Sequence, residues 1–483
     1  MTRRQHFFLA GALALVMPCT AAAQTPPQRV SPPPPGPLRP YRLPAISDQR
    51  LSNGLRLVVI ERHNLPIVTA RIMLDAGSVY EPAPKQGLAS LTGSLLVEGG
   101  TKELTGAELA QRVEKLGAQI NSSASISLSS VTLTSLPQDF ATVLGLAAKT
   151  IVEPRFDPRE FERVRGQAIA FYEQGRSTVE GLATEAFGRA IYDSVSPYAR
   201  SPQGTGTTLR AITRDDVVAW HGTMYSPATT TLLVVGAVRA ADARSIAEAA
   251  FAGWNTPAPS LPAFRNTPQP VPSTRVILID RPGSVQSAIR VGQFGFAADD
   301  PDFFTLTVLD RVLGGGFNAR MNMTLREKLG YTYGAFTNLQ AFRGAGTFFV
   351  TSSVRTNVTD SALARAVQEY RRIVDEPVGE DELKGMINNL VASFPNSVQT
   401  VQGLAQRMQT VLIYNLPLDY YATYREKLAA VTSADIARVA KARLVPNALT
   451  IVVAGDLSKI EAPIRAMNLG AVEVWDQDGK RIK

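Results

Sequence analysis

Side chains that could bind a metal ion or act as nucleophiles are scarce in this sequence of 483 residues. It contains one cysteine, Cys19, and three histidines, His6, His63 and His221. A lone cysteine near the start of the chain excludes disulfides, a catalytic thiolate and a cysteine metal site from the rest of the chain. His63 follows a predicted strand and His221 lies near a predicted helix end, and neither has an acidic or serine partner in a recognisable order. Neither a histidine zinc site nor a catalytic triad is therefore indicated.

The stretch GLASLTGSLLVEGGTK, residues 87–102, predicts a helix with two different faces. Its leucines at i, i+3 and i+7 form one buried stripe. A second stripe, at i, i+3 and i+4, is small and polar and consists of Ser90, Gly93 and Ser94. On its own, this pattern is compatible with a core helix whose small residues permit close packing.

A glycine-rich segment occurs in the second half of the chain, in VLGGGFNARMNMTLREKLGYTYGAFTN at residues 312–338. It begins with Gly314, Gly315, Gly316 and Phe317. A phosphate-binding loop is weakly supported, because no Lys-Ser or Lys-Thr follows and no strand leads into a GxGxxG spacing. A simple turn and a flexible binding loop both fit the pattern.

Arg326 and Tyr333 lie within this segment, after the glycines and seven residues apart. Taken alone, Arg326 is typical of a cation in the last turn of a helix, with Gly330 as the left-handed residue that ends it. Tyr333 then begins a predicted strand.

An internal repeat defines the organisation of the elements around these residues. RLVVIER starts at Arg56 and RVILIDR at Arg275, a shift of 219 residues. The same shift aligns AITRDDVVAW, from Ala211, with AVTSADIARV, from Ala430. Agreement near both ends of the two segments indicates two homologous domains of about 220 residues, which is within the usual size of a domain.

Each half mixes two hydrophobic periods. LRLVVIER and TTLLVVG are β-branched runs of strand length, whereas TGAELAQRVEKLG and DSALARAVQEYRRIVD carry apolar residues at helical spacing. The fold class expected is α+β, with each domain a mostly antiparallel or mixed sheet covered by helices on one face.

Composition sets the expected boundaries and the compartment. Arg3 and Arg4, the apolar run at 7–18 and the small residues after it predict a signal peptide over 1–23, cleaved after Ala23. A proline-rich tether at 24–44 and a proline-rich linker at 255–274 flank an N-terminal domain, 45–254, and the linker precedes a C-terminal domain, 275–483. The apolar run is too short to span a bilayer comfortably, so we expect a periplasmic or secreted protein without an integral membrane span after cleavage, and a retained membrane anchor is the weaker alternative.

Charge argues against a nucleic-acid partner. The formal net charge is +8, and without the two arginines of the signal it is 50 − 2 − 42 = +6. There is no basic run and no interleaved aromatic stripe, so nucleic-acid binding is not indicated.

The helix at 87–96 resembles the first domain of the pitrilysin/insulinase family of zinc metallopeptidases, whose corresponding helix carries the inverted zinc motif HxxEH. In that motif two imidazoles one turn apart hold zinc, and the glutamate activates a bound water. The matching positions here are Ser90, Gly93 and Ser94, which supply neither ligands nor a base. The family's third ligand, a glutamate, falls near Ala170 or Phe171. The resemblance therefore implies a degenerate site without metal.

The segment at 312–338 resembles the other functional element of the same family. There an arginine and a tyrosine, seven residues apart, reach toward a substrate bound at the zinc of the partner half. The resemblance implies that Tyr333 hydrogen-bonds to the developing oxyanion and that Arg326 holds the peptide backbone. It also implies that the loop of Gly314, Gly315, Gly316 and Phe317 touches the peptide.

The expected function is that of a non-catalytic subunit of a secreted zinc metallopeptidase. Its partner is expected to be a homologous HxxEH-bearing chain that holds the zinc, and the two chains would enclose a peptide substrate as a heterodimer. An alternative is a stand-alone peptide-binding or scaffold protein of the envelope. A metal site built from carboxylates is disfavoured, because the nearby acids Glu98 and Glu173 lack the required spacing. Whether the chain is an enzyme by itself is left open.

Overall fold

The computed structural model describes residues 41–261, 271–344 and 346–483. The expected signal peptide and nearly all of the expected tether lie outside the described residues, as do residues 262–270 of the expected linker. Residues Arg42–Lys483 form one compact unit. Within the described ranges, no helix is long and apolar enough to cross a membrane.

The first half contains six strands and eight α-helices. The strands are β1 (Ile46–Arg50), β2 (Arg56–Glu61), β3 (Val68–Leu74), β4 (Gln119–Ala124), β5 (Ser129–Ser135) and β6 (Thr230–Gly236). The helices are α1 (Leu88–Glu98), α2 (Gly106–Lys115), α3 (Phe140–Val152), α4 (Pro158–Arg176), α5 (Val179–Ile191), α6 (Gly206–Ala211), α7 (Arg214–Met224) and α8 (Ala240–Ala250).

The second half repeats most of this order of elements, except that its edge strand comes last in the chain, whereas β1 comes first. Its strands are β7 (Arg275–Asp280), β8 (Gln286–Phe294), β9 (Thr332–Gln340), β10 (Thr347–Arg355), β11 (Thr450–Gly455) and β12 (Ala471–Trp475). Its helices are α9 (Phe303–Leu313), α10 (Arg320–Asn322), α11 (Thr359–Asp375), α12 (Glu380–Ser397), α13 (Val401–Ile413), α14 (Tyr424–Ala429), α15 (Ser433–Arg443) and α16 (Leu457–Ala466). A π-helical segment, Met323–Lys328, continues α10.

The two sheets have matching strand orders, which confirms the expected α+β class. The first sheet runs β1-β2-β6-β3-β5-β4 and the second runs β12-β7-β11-β8-β10-β9. Both sheets are mixed. The pairs β2 with β6 and β7 with β11 are parallel, whereas the pairs β3 with β5 and β8 with β10 are antiparallel. The duplication extends to capping: Thr213 with Asp216, and Thr432 with Asp435, form the same reciprocal capping box at the start of α7 and α15.

Each half also contributes one helix to the other. Helix α5 packs on β8 and β11 of the second sheet, where Leu182 and Phe187 join a buried cluster with Val452. Helix α13 packs in turn on β3 and β6 of the first sheet. The other helices that cover each sheet lie on its opposite face, around one large apolar core per half. Each sheet is therefore closed on its second face by a helix from the other half.

Candidate functional site

Helix α1 is oriented by its leucines and by a buried carboxylate at its start. Leu88, Leu91 and Leu95 lie in the core of the first half, as the leucine stripe predicts. Before the helix, Glu81 accepts hydrogen bonds from the backbone N–H groups of Gly87 (3.0 Å) and Ala89 (2.5 Å). The Glu81 side chain therefore pairs with backbone N–H groups that the first turn of a helix leaves without partners. Burial raises the pKa of Glu81 to about 8, against the opposing effect of the two amides.

The small polar stripe of α1 is engaged in packing and hydrogen bonding. Ser90 Oγ donates to Gln203 Oε1 at 2.8 Å. Gly93 is buried against the backbone of β4, and a Cβ atom added there would lie 3.0 Å from the amide nitrogen of Ala124. Ser94 is half-buried on the same face. Gly93 thus permits a close crossing of helix and strand that a side chain would obstruct.

The donor atoms at this face do not suit a zinc ion. Ser90 and Ser94 are neutral hydroxyls, and Gly93 has no side chain, whereas zinc sites use thiolate, imidazole and carboxylate ligands. Ala170 and Phe171, at the position of the third ligand, lie exposed on α4. In the part of the chain that the structure describes, no group of three or more His, Cys, Asp or Glu residues could hold a metal ion.

The two acids near this face are held by arginines. Glu98 Oε2 pairs with Arg163 Nη2 at 2.6 Å, and Glu173 Oε1 pairs with Arg210 Nη2 at 3.3 Å. The residues present therefore do not fit the metal of the related peptidases, and no step of a reaction is assigned to a metal in this chain.

The glycine-rich loop follows α9 and is fixed to strand β9. The N–H groups of Gly314 and Gly315 both donate to the carbonyl of Asp310, at 2.9 and 2.8 Å, and Thr337 N–H donates to the carbonyl of Gly314 at 3.1 Å. A Cβ at Gly314 would lie 2.5 Å from the nitrogen of Thr337. Glycine at this position is required by the close approach of the two backbones.

The segment that carries Arg326 is anchored just before and within the π-helical turn. Asn322 is fully buried, and its side chain donates to the carbonyl of Phe317 at 2.8 Å and accepts from Ala335 N–H at 3.2 Å. Leu325 lies in the core, and Thr324 donates to Glu369 at 2.8 Å. Isolated π-turns within helices are frequent at functional sites.

Arg326 is held between two aromatic rings. Its guanidinium carbon lies 5.2 Å from the ring centroid of Phe317 and 5.2 Å from that of Tyr333. The rings are largely solvent-exposed, at 58% for Phe317 and 86% for Tyr333. The structure thus brings the arginine, the tyrosine and the glycine-rich loop into one cluster. Gly330 also ends the helical segment in the left-handed conformation, with φ of 61°, as its position after the predicted helix indicates.

A β-bulge explains why Tyr333 points outward. Ser352 pairs with Ala335 and Val354 pairs with Thr332, so β9 has one residue more than β10 between these two pairs. In a regular strand Tyr333 would share the buried face of Ala335, but a bulge redirects the side chain. The phenol hydroxyl is therefore presented to solvent, and the Arg326 guanidinium beside it is one-third exposed and pairs with Glu327 at 3.4 Å.

Asp310 is a part of this cluster that the sequence pattern did not reveal. Its Oδ1 is buried and has no hydrogen-bond partner among the described residues, and a Cβ at Gly315 would lie 2.7 Å from its Oδ2. Burial raises the pKa of Asp310 to about 6, with Thr337 and Arg311 opposing the shift. Since this carboxyl lies directly beneath the glycine-rich loop, its protonation state bears on the stability of the loop.

The two histidines of the described chain lie outside these clusters. His63 pairs with Glu61 at 3.2 Å on an exposed turn. His221 Nε2 lies 2.7 Å from the carbonyl of Ile151, and its ring packs against Phe156 and Tyr225. Burial lowers the pKa of His221. Both are packing or surface residues, in agreement with the sequence.

The fold and the two sites define a duplicated α+β chain of a peptidase class. Its first site lacks metal-binding side chains, and its second half carries an arginine flanked by two aromatic rings. Residues 56–195 match the model of the insulinase family, peptidase family M16, and residues 211–390 match that of the peptidase M16 inactive domain. The chain belongs to this family, as a member without the zinc ligands.

Known relatives agree with this assignment. A non-peptidase homolog, YmxG, of Helicobacter pylori is 20% identical over 86% of this chain and 95% of its own length. The β subunit of the mitochondrial-processing peptidase of Dictyostelium discoideum is 20% identical over 82% of this chain and 85% of its own. A crystal structure of a peptidase M16 inactive domain from Pseudomonas fluorescens superimposes with a TM-score of 0.80 at 24% identity, covering 85% of this chain and 98% of that one.

Proposed function

We propose that this protein is the non-catalytic subunit of a peptidase and that it binds peptide for a homologous chain carrying HxxEH. Zinc would be held by that partner, and the two chains would form a heterodimer around the peptide. Arg326 would bind the peptide backbone and Tyr333 would donate to the carbonyl oxygen on which negative charge develops. The loop of Gly314, Gly315, Gly316 and Phe317 would contact the peptide beside them.

The observation that carries this proposal is the stacking of Arg326 between Phe317 and Tyr333. A guanidinium held between two rings is oriented before the peptide arrives, so less side-chain entropy is lost on binding. The cluster is exposed, whereas the first half offers no set of metal ligands at Ser90, Gly93 and Ser94. A donor cluster without a metal site in the same chain suits a subunit that assists hydrolysis elsewhere.

The compartment is part of the proposal. The basic, apolar and small-residue order of residues 1–23 supports export, so the pair would act in the periplasm or outside the cell. The relation to a processing-peptidase subunit supports a partnership of two homologous chains.

The test is to purify the affinity-tagged full-length chain from its native cells and to identify co-purifying chains by mass spectrometry. The proposal expects a homologue with an intact HxxEH motif. The purified pair is then assayed on a quenched fluorogenic peptide. Tyr333→Phe and Arg326→Ala should each lower kcat by about 10²- to 10³-fold, the usual effect of losing one donor to a developing oxyanion. Arg365→Ala, at an exposed site on α11, is the matched control and should leave the rate unchanged.

Full activity of both variants would refute the roles assigned to the two residues. Stoichiometric zinc in the isolated chain, together with peptide hydrolysis, would refute the division of labour between the subunits. Tyr333→Phe removes one exposed hydroxyl, so a loss of activity cannot be attributed to unfolding.

A second candidate is a stand-alone peptide-binding or scaffold protein without hydrolysis. The non-peptidase homolog of Helicobacter pylori, which aligns over 95% of its length, favours it. It predicts a monomer or homodimer and no HxxEH-bearing chain in the purification. Size-exclusion chromatography with light scattering on the native material separates the two candidates.

A further inference from the structure

Two cavities that share lining residues lie at one end of strands β8 and β10 of the second sheet. The first has a volume of about 580 Å³ and the second about 720 Å³, and both are lined by Gln286 and Arg355. Tyr333 lines the first cavity, and Val285, Ile460 and Pro463 line the second. We call the two together the inner groove. It starts at the exposed phenol and leads away from it across the first residue of β8 and the last residue of β10.

Arg355, at the junction of the two cavities, is a cation that has no acidic partner among the described residues. Its side chain is exposed, and its one hydrogen bond within the described residues is a long one, 3.5 Å from Nη2 to the carbonyl of Gly330. Asp360 also lines the second cavity but forms no ion pair with Arg355 among the described residues. Most neighbouring charges are already bound: Lys459 pairs with Asp456 at 2.8 Å, and Glu180 accepts from Ser353 at 2.7 Å. The guanidinium of Arg355 is therefore available to a ligand.

The floor of the first cavity offers few free polar groups of its own. The hydroxyl of Thr332 donates to the carbonyl of Ser353 at 2.7 Å, and that of Ser352 donates to the carbonyl of Gly334 at 3.0 Å. These bonds satisfy the irregular backbone of the bulge internally. Beside it, the phenol of Tyr333 and the guanidinium of Arg355 are donors presented to a ligand, and the amide of Gln286 lines both cavities as well.

The second cavity has an apolar part of its lining. Val285 is 83% exposed there, and its carbonyl is fixed by Thr356 N–H at 3.1 Å. Ile460 and Pro463 of α16 line the same cavity. An exposed valine in a cavity with other aliphatic residues can bury a side chain of similar chemistry at about 25 cal/mol per Å² of area removed from water.

We propose that the inner groove binds an extended peptide whose carboxylate pairs with Arg355 and whose neighbouring apolar side chain enters the cavity beside Val285. This deepens the proposed function and rests on it, since it names the class of peptide that the subunit would present to the partner. A guanidinium binds a carboxylate through two parallel hydrogen bonds, which gives both affinity and orientation. The carboxylate could come from an acidic side chain or from a peptide C-terminus.

The experiment measures binding of fluorescein-labelled octapeptides to the full-length chain by anisotropy. One pair of peptides carries an internal Glu-Leu or Gln-Leu with an amidated C-terminus, and a second pair ends in Leu as the free acid or the amide. Glu-Leu binding above Gln-Leu assigns the carboxylate to a side chain, and acid above amide assigns it to a C-terminus. The preferred peptide should bind about tenfold more tightly than its neutral counterpart, and the preference should weaken in high salt.

Variants of Arg355 decide the assignment. Arg355→Ala should abolish the preference for a carboxylate, and Arg355→Glu should reverse it toward a Lys-Leu peptide. Arg365→Ala should change nothing. Equal binding of charged and neutral peptides to the wild-type chain, or an unchanged preference in Arg355→Ala, would overturn the proposal.

The same measurements separate this proposal from the proposed function. They use the chain without its partner and leave Arg326 and Tyr333 intact. If Arg355 has no effect here while Tyr333→Phe still lowers the activity of the purified pair, the groove is wrong and the subunit role stands. If the pair does not exist but Arg355 sets the carboxylate preference, the protein is a peptide-binding chain without the assisting role.

Discussion

Replacing Asp310 by Asn should change how the stability of the protein depends on pH. The carboxyl has an ordinary pKa of 3.8 in the unfolded chain and a pKa of about 6 in the folded one, because burial disfavours its charged form. Between these values the folded state binds more protons than the unfolded state. The free energy of unfolding of the wild type therefore receives a contribution that is full below pH 4 and is lost as pH rises through 6.

The size of this contribution follows from the shift. A shift of 6 − 3.8 pKa units, at 1.36 kcal/mol per unit, corresponds to about 3 kcal/mol. Asparagine cannot ionise, so the free energy of unfolding of Asp310→Asn does not fall in this way as the pH rises. The free energy of unfolding of the variant minus that of the wild type should rise by about 3 kcal/mol between pH 4 and pH 7 and then remain constant.

The assay is urea denaturation at pH 4, 5, 6, 7 and 8, followed by tryptophan fluorescence and circular dichroism. The difference between variant and wild type cancels other titrating groups, including His221, whose lowered pKa acts in an overlapping range with the opposite sign. Asp299→Asn, at an exposed site before α9, is the matched control for replacing a carboxylate by an amide. A flat or falling difference for Asp310→Asn would show that the carboxyl is hydrated or paired in the folded protein.

Three further predictions concern packing and capping. Gly93→Glu should lower the free energy of unfolding by about 1–3 kcal/mol, because the added side chain meets the backbone of β4, and thermal denaturation of this variant measures it. Thr213→Ala and Thr432→Ala should each cost about 1 kcal/mol in urea denaturation, because both residues cap a helix with the same geometry, and very unequal costs would contradict their equivalence. Gly314→Ala should destabilise the chain by about 1–3 kcal/mol and weaken peptide binding in the anisotropy assay, because its Cβ displaces Thr337.

Local sequence patterns were sufficient to predict the elements of the fold and their duplication. The strand runs at Arg56 and Arg275 form the equivalent strands β2 and β7 of the two sheets, and the aligned segments from Ala211 and Ala430 contain matching caps at Thr213 and Thr432. Each of these features depends on residues within one turn or one strand. That is the range over which propensity and periodicity carry information.

The features that the sequence did not reveal depend on contacts between distant segments. Nothing in the stretch Val179–Ile191 indicates that α5 covers the sheet of the other half, since an amphipathic helix specifies an apolar partner but not which one. The outward direction of Tyr333 depends on the register of β9 against β10. The burial of Asp310 depends on where the glycine-rich loop folds back, which the residue types alone do not determine.

The two sites differ in how they are connected to the core, and this explains how one can lack its chemistry while the fold persists. On α1 the leucine stripe enters the core together with Ala89 and Leu96, whereas Ser90 and Ser94 are only half-buried on another face. The residue types at these two serine positions can change without opening a cavity in the core. In the second half, Arg326 follows directly on the buried Leu325, and Asn322 ties the loop to β9. Because those anchors also fill the core and satisfy buried backbone groups, the geometry of the donor cluster is maintained by the folding of the second half itself.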